Sequence, residues 1–164
     1  MSKKNWIGIA VLGVLVIASA CVPPIAMSFE RNRLVRLVSA GKLIYIAMQE
    51  AGLDQKQGGS GVGYPAESGA HSTKAYLELL VQHGYLQRED LALFGGLVIA
   101  NVSENDPPNT IVVISRPYYE YLTQGARFPK GYVCIRNRGD AWSGAMPIPQ
   151  ADFPQRTPAV LQPD

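Results

Sequence analysis

The chain has 164 residues, a net charge of +2 and two cysteines. That charge gives no strong field for nucleic acid, and two cysteines exclude a disulfide-stapled scaffold. The 47% apolar share is densest in the first thirty residues. The remainder, about 135 residues rich in Gly, Pro and Tyr, can build one modest core.

The first element is "WIGIAVLGVLVIASACVPPIAM", Trp6 to Met27. No charge interrupts the chain from Asn5 to Phe29. Roughly 22 helical residues cover about 30 Å, the hydrocarbon thickness of a bilayer. Trp6, Gly8, Val14, Pro23, Pro24 and Met27 mark this membrane segment. Three readings compete. Lys3 and Lys4 before an apolar run, with "ASA" before Cys21, suit a cleaved secretory signal. "IASAC" also suits a lipoprotein signal that acylates Cys21, although Ala18 stands where such signals usually carry Leu, and "VPPIAM" is no polar tether. The third reading is a retained span that continues into a second helix.

The residues after the apolar run favour the retained span. "SFERNRLVRLVSAGKLIYIAMQEAG" places Leu34, Leu37, Val38, Ile44, Ala47, Met48 and Ala51 at steps of three and four. This spacing predicts an amphipathic helix over 30–51 with one buried face. Glu30 near its start suits the helix dipole, and Gly52 suits a C-cap. Pro23 and Pro24 are expected to kink the joined helix rather than end it.

"GLDQKQGGSGVGYPAESGAHS" reads as a flexible loop. Its "GGSGVG" resembles a phosphate-cradling loop but lacks the following Lys-Ser/Thr and a preceding strand. "STKAYLELLVQHGYL" predicts a short helix capped by Ser72 or Thr73, with Tyr76, Leu79, Leu80 and His83 near one face. Gly84 stops it, and Tyr85 folds back. "LVIANVS" (97–103) and "TIVVISR" (110–116) flank "ENDPPN" and predict a hairpin. "GYVCIRNRG" (131–139) predicts a third strand, with Val133 and Ile135 on one face and Tyr132, Cys134 and Arg136 on the other. Val98, Val112, Ile114, Val133 or Ile135 are expected to cover the stripe of helix 30–51. The tail, 146–164, holds five prolines in "MPIPQADFPQRTPAVLQPD" and is expected to be extended or disordered.

Chemical groups are sparse. His71 and His83 sit in no motif that supplies a general-base partner. Cys134 has no basic context that would make it a thiolate. Asp106 lies in a turn rich in oxygen ligands, which suits calcium, but turn chemistry alone explains it. "RPYYEYL" (116–122) clusters three tyrosines and an arginine, which suits either a partner surface or core packing against the long helix. No nucleophile–base pair or metal constellation is visible, so an enzyme is not expected, and neither a cofactor nor a small-molecule substrate is called for.

An apolar N-terminal segment, an amphipathic helix, a Gly-rich loop, a short helix and an antiparallel sheet together resemble the type IV pilin and type II secretion pseudopilin group. The resemblance rests on "RLVSAGKLIYIAMQEAG", on "GYPAESGAHSTKAYLELLVQHGYL", and on "DPPNTIVVIS" with "GYVCIRNRGDAW". It implies an α+β fold in which one long helix crosses an antiparallel sheet of three or four strands. Three regions are expected: 1–28 as anchor, 29–145 as a pilin-like domain including helix 30–51, and 146–164 as tail. The resemblance further implies a structural, non-enzymatic component of a secretion or pilus-type assembly. Its partners would be the membrane, other pilin-like subunits or the secretion machinery. It places a single-pass protein in a bacterial inner membrane, with its domain in the periplasm or outside; the alternative is an envelope lipoprotein or single-span protein presenting the same domain without polymerising. "SKKNWIGIAVLG" carries neither the Gly–Phe peptidase site nor the acid at the fifth helical position that the family normally has.

Overall fold

The computed structural model describes the backbone of residues 3–59 and 61–163, and side chains from residue 27 onward within those ranges. Helix α1 runs Lys3–Lys56. By internal packing the chain divides into two units, Met1–Val35 and Arg36–Asp164. In the first unit Met27 and Phe29 are exposed, and Arg33 pairs with Glu30 at 3.0 Å.

The second unit holds the core. Along α1 the buried positions are Ala40, Gly41, Ile44, Ala47, Met48, Ala51 and Gly52, a stripe at helical period. The helix does not stop at Gly52, as its sequence suggested. A Cβ there would lie 2.4 Å from the Tyr64 ring. The missing side chain therefore admits Tyr64, whose hydroxyl donates to Gln49 Oε1 at 3.0 Å. The stop comes at Gly58, with φ +77°, in the left-handed region that a β-carbon disfavours.

The Gly-rich loop, expected to be flexible, is packed over 62–65. Val62 and Tyr64 are buried, and Gly63 O accepts from the Tyr76 hydroxyl at 2.8 Å. A one-turn helix α2 (Pro65–Ser68) comes next, then α3 (Thr73–Gln82). Ser72 caps α3 by accepting from the Ala75 amide at 3.1 Å. Its buried side chains are Thr73, Tyr76, Leu77 and Leu80, while His83 is exposed. Leu77, not His83, completes the inner face. Gly84 has φ +83° and the Tyr85 amide returns to Leu80 O at 2.9 Å. A 3-10 turn, Arg88–Leu93, leads to the sheet.

The sheet is β1 (Leu97–Ile99), β2 (Ile111–Ser115), β3 (Tyr132–Arg136) and β4 (Ala141–Gly144), antiparallel throughout in the order β1-β2-β3-β4. The expected α+β fold, a long helix packed on a small antiparallel sheet, is the fold observed. The first hairpin is shorter than its sequence suggested. Beyond Ile99 the Asn101 amide turns to Ala159 O at 2.9 Å, so the tail replaces β2 as partner.

Both faces of the sheet are covered, which explains why its strands read as apolar on both sides. Register places Ile99, Val113 and Ile135 on one face and Val98, Ile114 and Cys134 on the other. The first face meets α1: a Cβ on Gly41 would lie 2.8 Å from Ile135 Cγ1 and 3.8 Å from Val113 Cγ1. The second face meets helix α4 (Arg116–Gln124) and the tail. Val98, Ile111, Ile114, Tyr118, Tyr132, Cys134, Ile148 and Phe153 form one buried cluster there. Val98 and Ile114 therefore belong to this second layer and not to the cover of the α1 stripe.

The Pro-rich tail is extended but ordered. Ile148, Phe153 and Leu161 are buried, Gln150–Asp152 form a 3-10 turn, and Ala100 bridges to Val160. Prolines keep it out of regular ladders, yet its apolar residues fill the second layer. It belongs to the same unit as the sheet.

Candidate functional site

The backbone of Trp6, Gly8, Val14, Cys21, Pro23 and Pro24 lies within α1, and the side chains of these anchor residues fall outside the described residues. The expected kink and the lipidation at Cys21 fall there too. Met27, the last of the segment, is 73% exposed. Among the described residues, no helix is long and apolar enough to cross a membrane.

The tyrosine-rich segment is α4, which strand and turn patterning missed. Two signals were available: Pro117 in the first turn and Gly125, with φ +66°, at the C-cap. Tyr118 is fully buried, and Arg116 pairs with Glu120 at 3.3 Å on the exposed side. Tyr118 stacks on Tyr132 with ring centroids 4.3 Å apart, and Phe128 stands edge-on to both. The Tyr118 hydroxyl accepts from the Ile148 amide at 2.7 Å. The segment therefore packs a core, and it does so on the sheet face opposite α1.

The Asp106 turn is a latch for the tail. Its carboxylate accepts from the Ser103 amide at 2.8 Å and pairs closely with the Arg156 guanidinium. Arg156 also donates to Asn101 O at 3.2 Å, and Asn101 Nδ2 donates to Pro158 O at 2.9 Å. Ser103 Oγ donates to Glu67 Oε1 at 2.7 Å, whose other oxygen accepts from the Tyr64 amide. Asp106 thus commits one carboxylate oxygen, Oδ2, to both an arginine and an amide. Among the described residues, no group of three His, Cys, Asp or Glu could hold a metal ion.

Cys134 is buried in β3, and that burial pushes its thiol up to about 12, against the opposing pull of Arg136. At neutral pH it stays an inert thiol. His71 and His83 are both exposed and lie at opposite ends of α3. An apolar hollow of about 240 Å³ is lined by Leu77, Leu91, Phe94 and Leu97 with Lys74 and Arg116 at its margin. No nucleophile and base converge in it.

At the far end of the sheet, Trp142 is 37% exposed and stands edge-on to Tyr132, with centroids 5.7 Å apart. The Arg136 guanidinium carbon lies 5.6 Å from its ring centre, and the guanidinium reaches Asp140 and Asp152 at 3.8 and 3.6 Å. Met146, nearby in sequence, is 71% exposed. Trp, Met and Arg are residue types enriched at protein interfaces. Strand patterning overlooked it because "AWSG" is short and lacks β-branched residues. No protein family, curated protein or solved structure matches this chain.

Proposed function

We propose that the chain is a structural subunit of pilin-like type: a membrane-anchored helix whose second half carries an α+β interaction domain, serving a secretion or pilus-type assembly in a bacterial envelope. The observation that supports this most is the use made of α1. An uncharged apolar run occupies its first half, and a buried stripe centred on Ile44 packs its second half on one face of the sheet. One helix thereby offers a lipid-compatible segment and a folded domain without an intervening loop. The groups with chemical potential are spent on structure: Asp106 on Arg156, Tyr118 on Ile148, Cys134 on the core. The missing Gly–Phe site and fifth-position acid point to a subunit that is neither processed nor registered like a filament-forming pilin.

Two measurements on natively produced protein test the reading. Membranes are washed with high salt and carbonate, and the N-terminus is then determined by mass spectrometry. Retention with an intact start supports a spanning subunit. A diacylglyceryl Cys21 replaces it with a lipoprotein. A soluble chain beginning near Val22 overturns membrane anchoring altogether.

A further inference from the structure

We propose that the outer edge of β4 is a pairing surface for a second copy of this chain, joined antiparallel about a two-fold axis through Trp142. The two edges of the sheet are treated differently. On the β1 side the tail closes the edge: Leu161 donates to Ile99 O, and Asn101 to Ala159 O, each at 2.9 Å. On the β4 side no turn, loop or side chain among the described residues takes up the backbone groups of Ala141 or Ser143.

The ladder shows which groups are free. The Arg136 amide donates to Asp140 O at 3.0 Å, and register pairs Cys134 with Trp142 and Tyr132 with Gly144. Hydrogen-bonded positions alternate in an antiparallel pair. Residues 140, 142 and 144 therefore face β3, and Ala141 and Ser143 turn their N–H and C=O outward. These two residues lie symmetrically about Trp142. A second β4, antiparallel and centred on the same residue, matches Ala141 to Ser143 of the second copy, and Ser143 to its Ala141. Four backbone hydrogen bonds then form with no adjustment of register.

The side chains agree. In this register the two Trp142 rings sit at a non-hydrogen-bonded position, where Cα atoms come within about 4.5 Å. Each ring gives up its exposed surface to the other. Asp140 faces Gly144 and Arg138 faces Met146, so no like charges meet across the axis. The edge "AWSGAM" also lacks the Lys, Pro or bulge that guards open edges in monomeric sheets. The pairing surface depends on the sheet alone and stands whether or not the anchor is retained.

The test uses the full chain in detergent with Cys21→Ser, leaving buried Cys134 in place. Trp142→Cys brings two thiols to a Cα separation near the lower end of the disulfide range of about 4.4–6.8 Å. Under mild oxidation it is expected to form covalent dimers at least tenfold faster than the remote, exposed Gln124→Cys. Adding Ser143→Pro removes an outward amide without touching the β3 ladder, and should return the rate to that of the control. In the absence of oxidant, sedimentation of the chain with native Trp142 should show dimers that Ser143→Pro and Trp142→Lys each convert to monomers. Cross-linking no faster than the control, or dimers indifferent to both edge substitutions, overturns the proposal.

Discussion

Ile44 and Ile46 stand two residues apart on α1, and their fates should differ sharply. Ile44 is fully buried in the stripe that meets the sheet, whereas Ile46 is 52% exposed. Ile44→Asp removes a buried side chain worth about 2–3 kcal/mol of transfer free energy. It also sets a carboxyl group in an apolar layer, which costs at least another 1–3 kcal/mol even after it takes up a proton. The sum, about 3–6 kcal/mol, is a large part of a typical stability of 5–15 kcal/mol. At roughly 4 °C per kcal/mol the melting point should fall by about 12–24 °C. Ile46→Asp and Arg36→Asp, both on exposed positions, should stay within about 0.5–1 kcal/mol of the parent. Thermal melts of the full chain in detergent, followed by circular dichroism at 222 nm, read all three. If Ile44→Asp and Ile46→Asp melt together, α1 does not pack on the sheet and the layered fold is refuted.

Gly52→Ala should destabilise by about 1–3 kcal/mol despite the better helix propensity of Ala, because its Cβ meets the Tyr64 ring. In a Tyr64→Ala background most of that cost should vanish; an unchanged cost in urea melts would return Gly52 to a capping role. Arg156→Gln should loosen the tail by about 1–2 kcal/mol, since Asp106 is left half-satisfied. Hydrogen exchange at the Leu161 and Asn101 amides should quicken accordingly, and unchanged protection there would refute the latch. In Cys21→Ser protein, Cys134 should resist a thiol reagent at pH 8 until denaturant is added; prompt labelling would refute its burial. The Cys134 pKa is raised in the folded state, so its contribution to stability is fully present below about pH 9. It declines between pH 9 and about 12 as the unfolded thiol ionises first. Urea melts at pH 8 and 10.5 on Cys134→Val and its parent should show the smaller pH loss in the variant.

The local code was legible where one signal dominated. Apolar steps of three and four fixed the inner face of α1, Ser72 capped α3, and β-branched runs marked β2 and β3. It failed where tertiary contacts outweighed local preference. Gly52 looked like a helix stop, but a neighbouring ring needed its empty side. Five prolines left 146–164 readable as extended or disordered, because proline content reports on hydrogen bonding and not on where Ile148, Phe153 and Leu161 are buried. Val98 and Ile114 suit the cover of α1 as well as Ile135 does by composition alone. Period two separates them within their strands, but no local signal says that a second layer exists to take the other face. Helix α4 was hidden by its tyrosines, which suit strands as well as helices. The Asp106–Arg156 pair spans fifty residues of sequence, beyond any pattern of spacing.

The second layer has a consequence for how attachment and folding relate. Every buried hydrophobic residue among those described lies at Ala40 or beyond. The helix stripe, both faces of the sheet and the tail that closes β1 all belong to the unit Arg36–Asp164. The apolar run before Phe29 lies in the other unit, and its composition has a physical reason of its own. An uncharged run of about 22 residues is costly to leave in water and matches a bilayer in length. Trp142 packs its inner side on Tyr132 and Arg136 and keeps 37% of its surface exposed on the β4 edge. The proposed anchoring rests on the first feature and the proposed pairing on the second, so each can fail without the other.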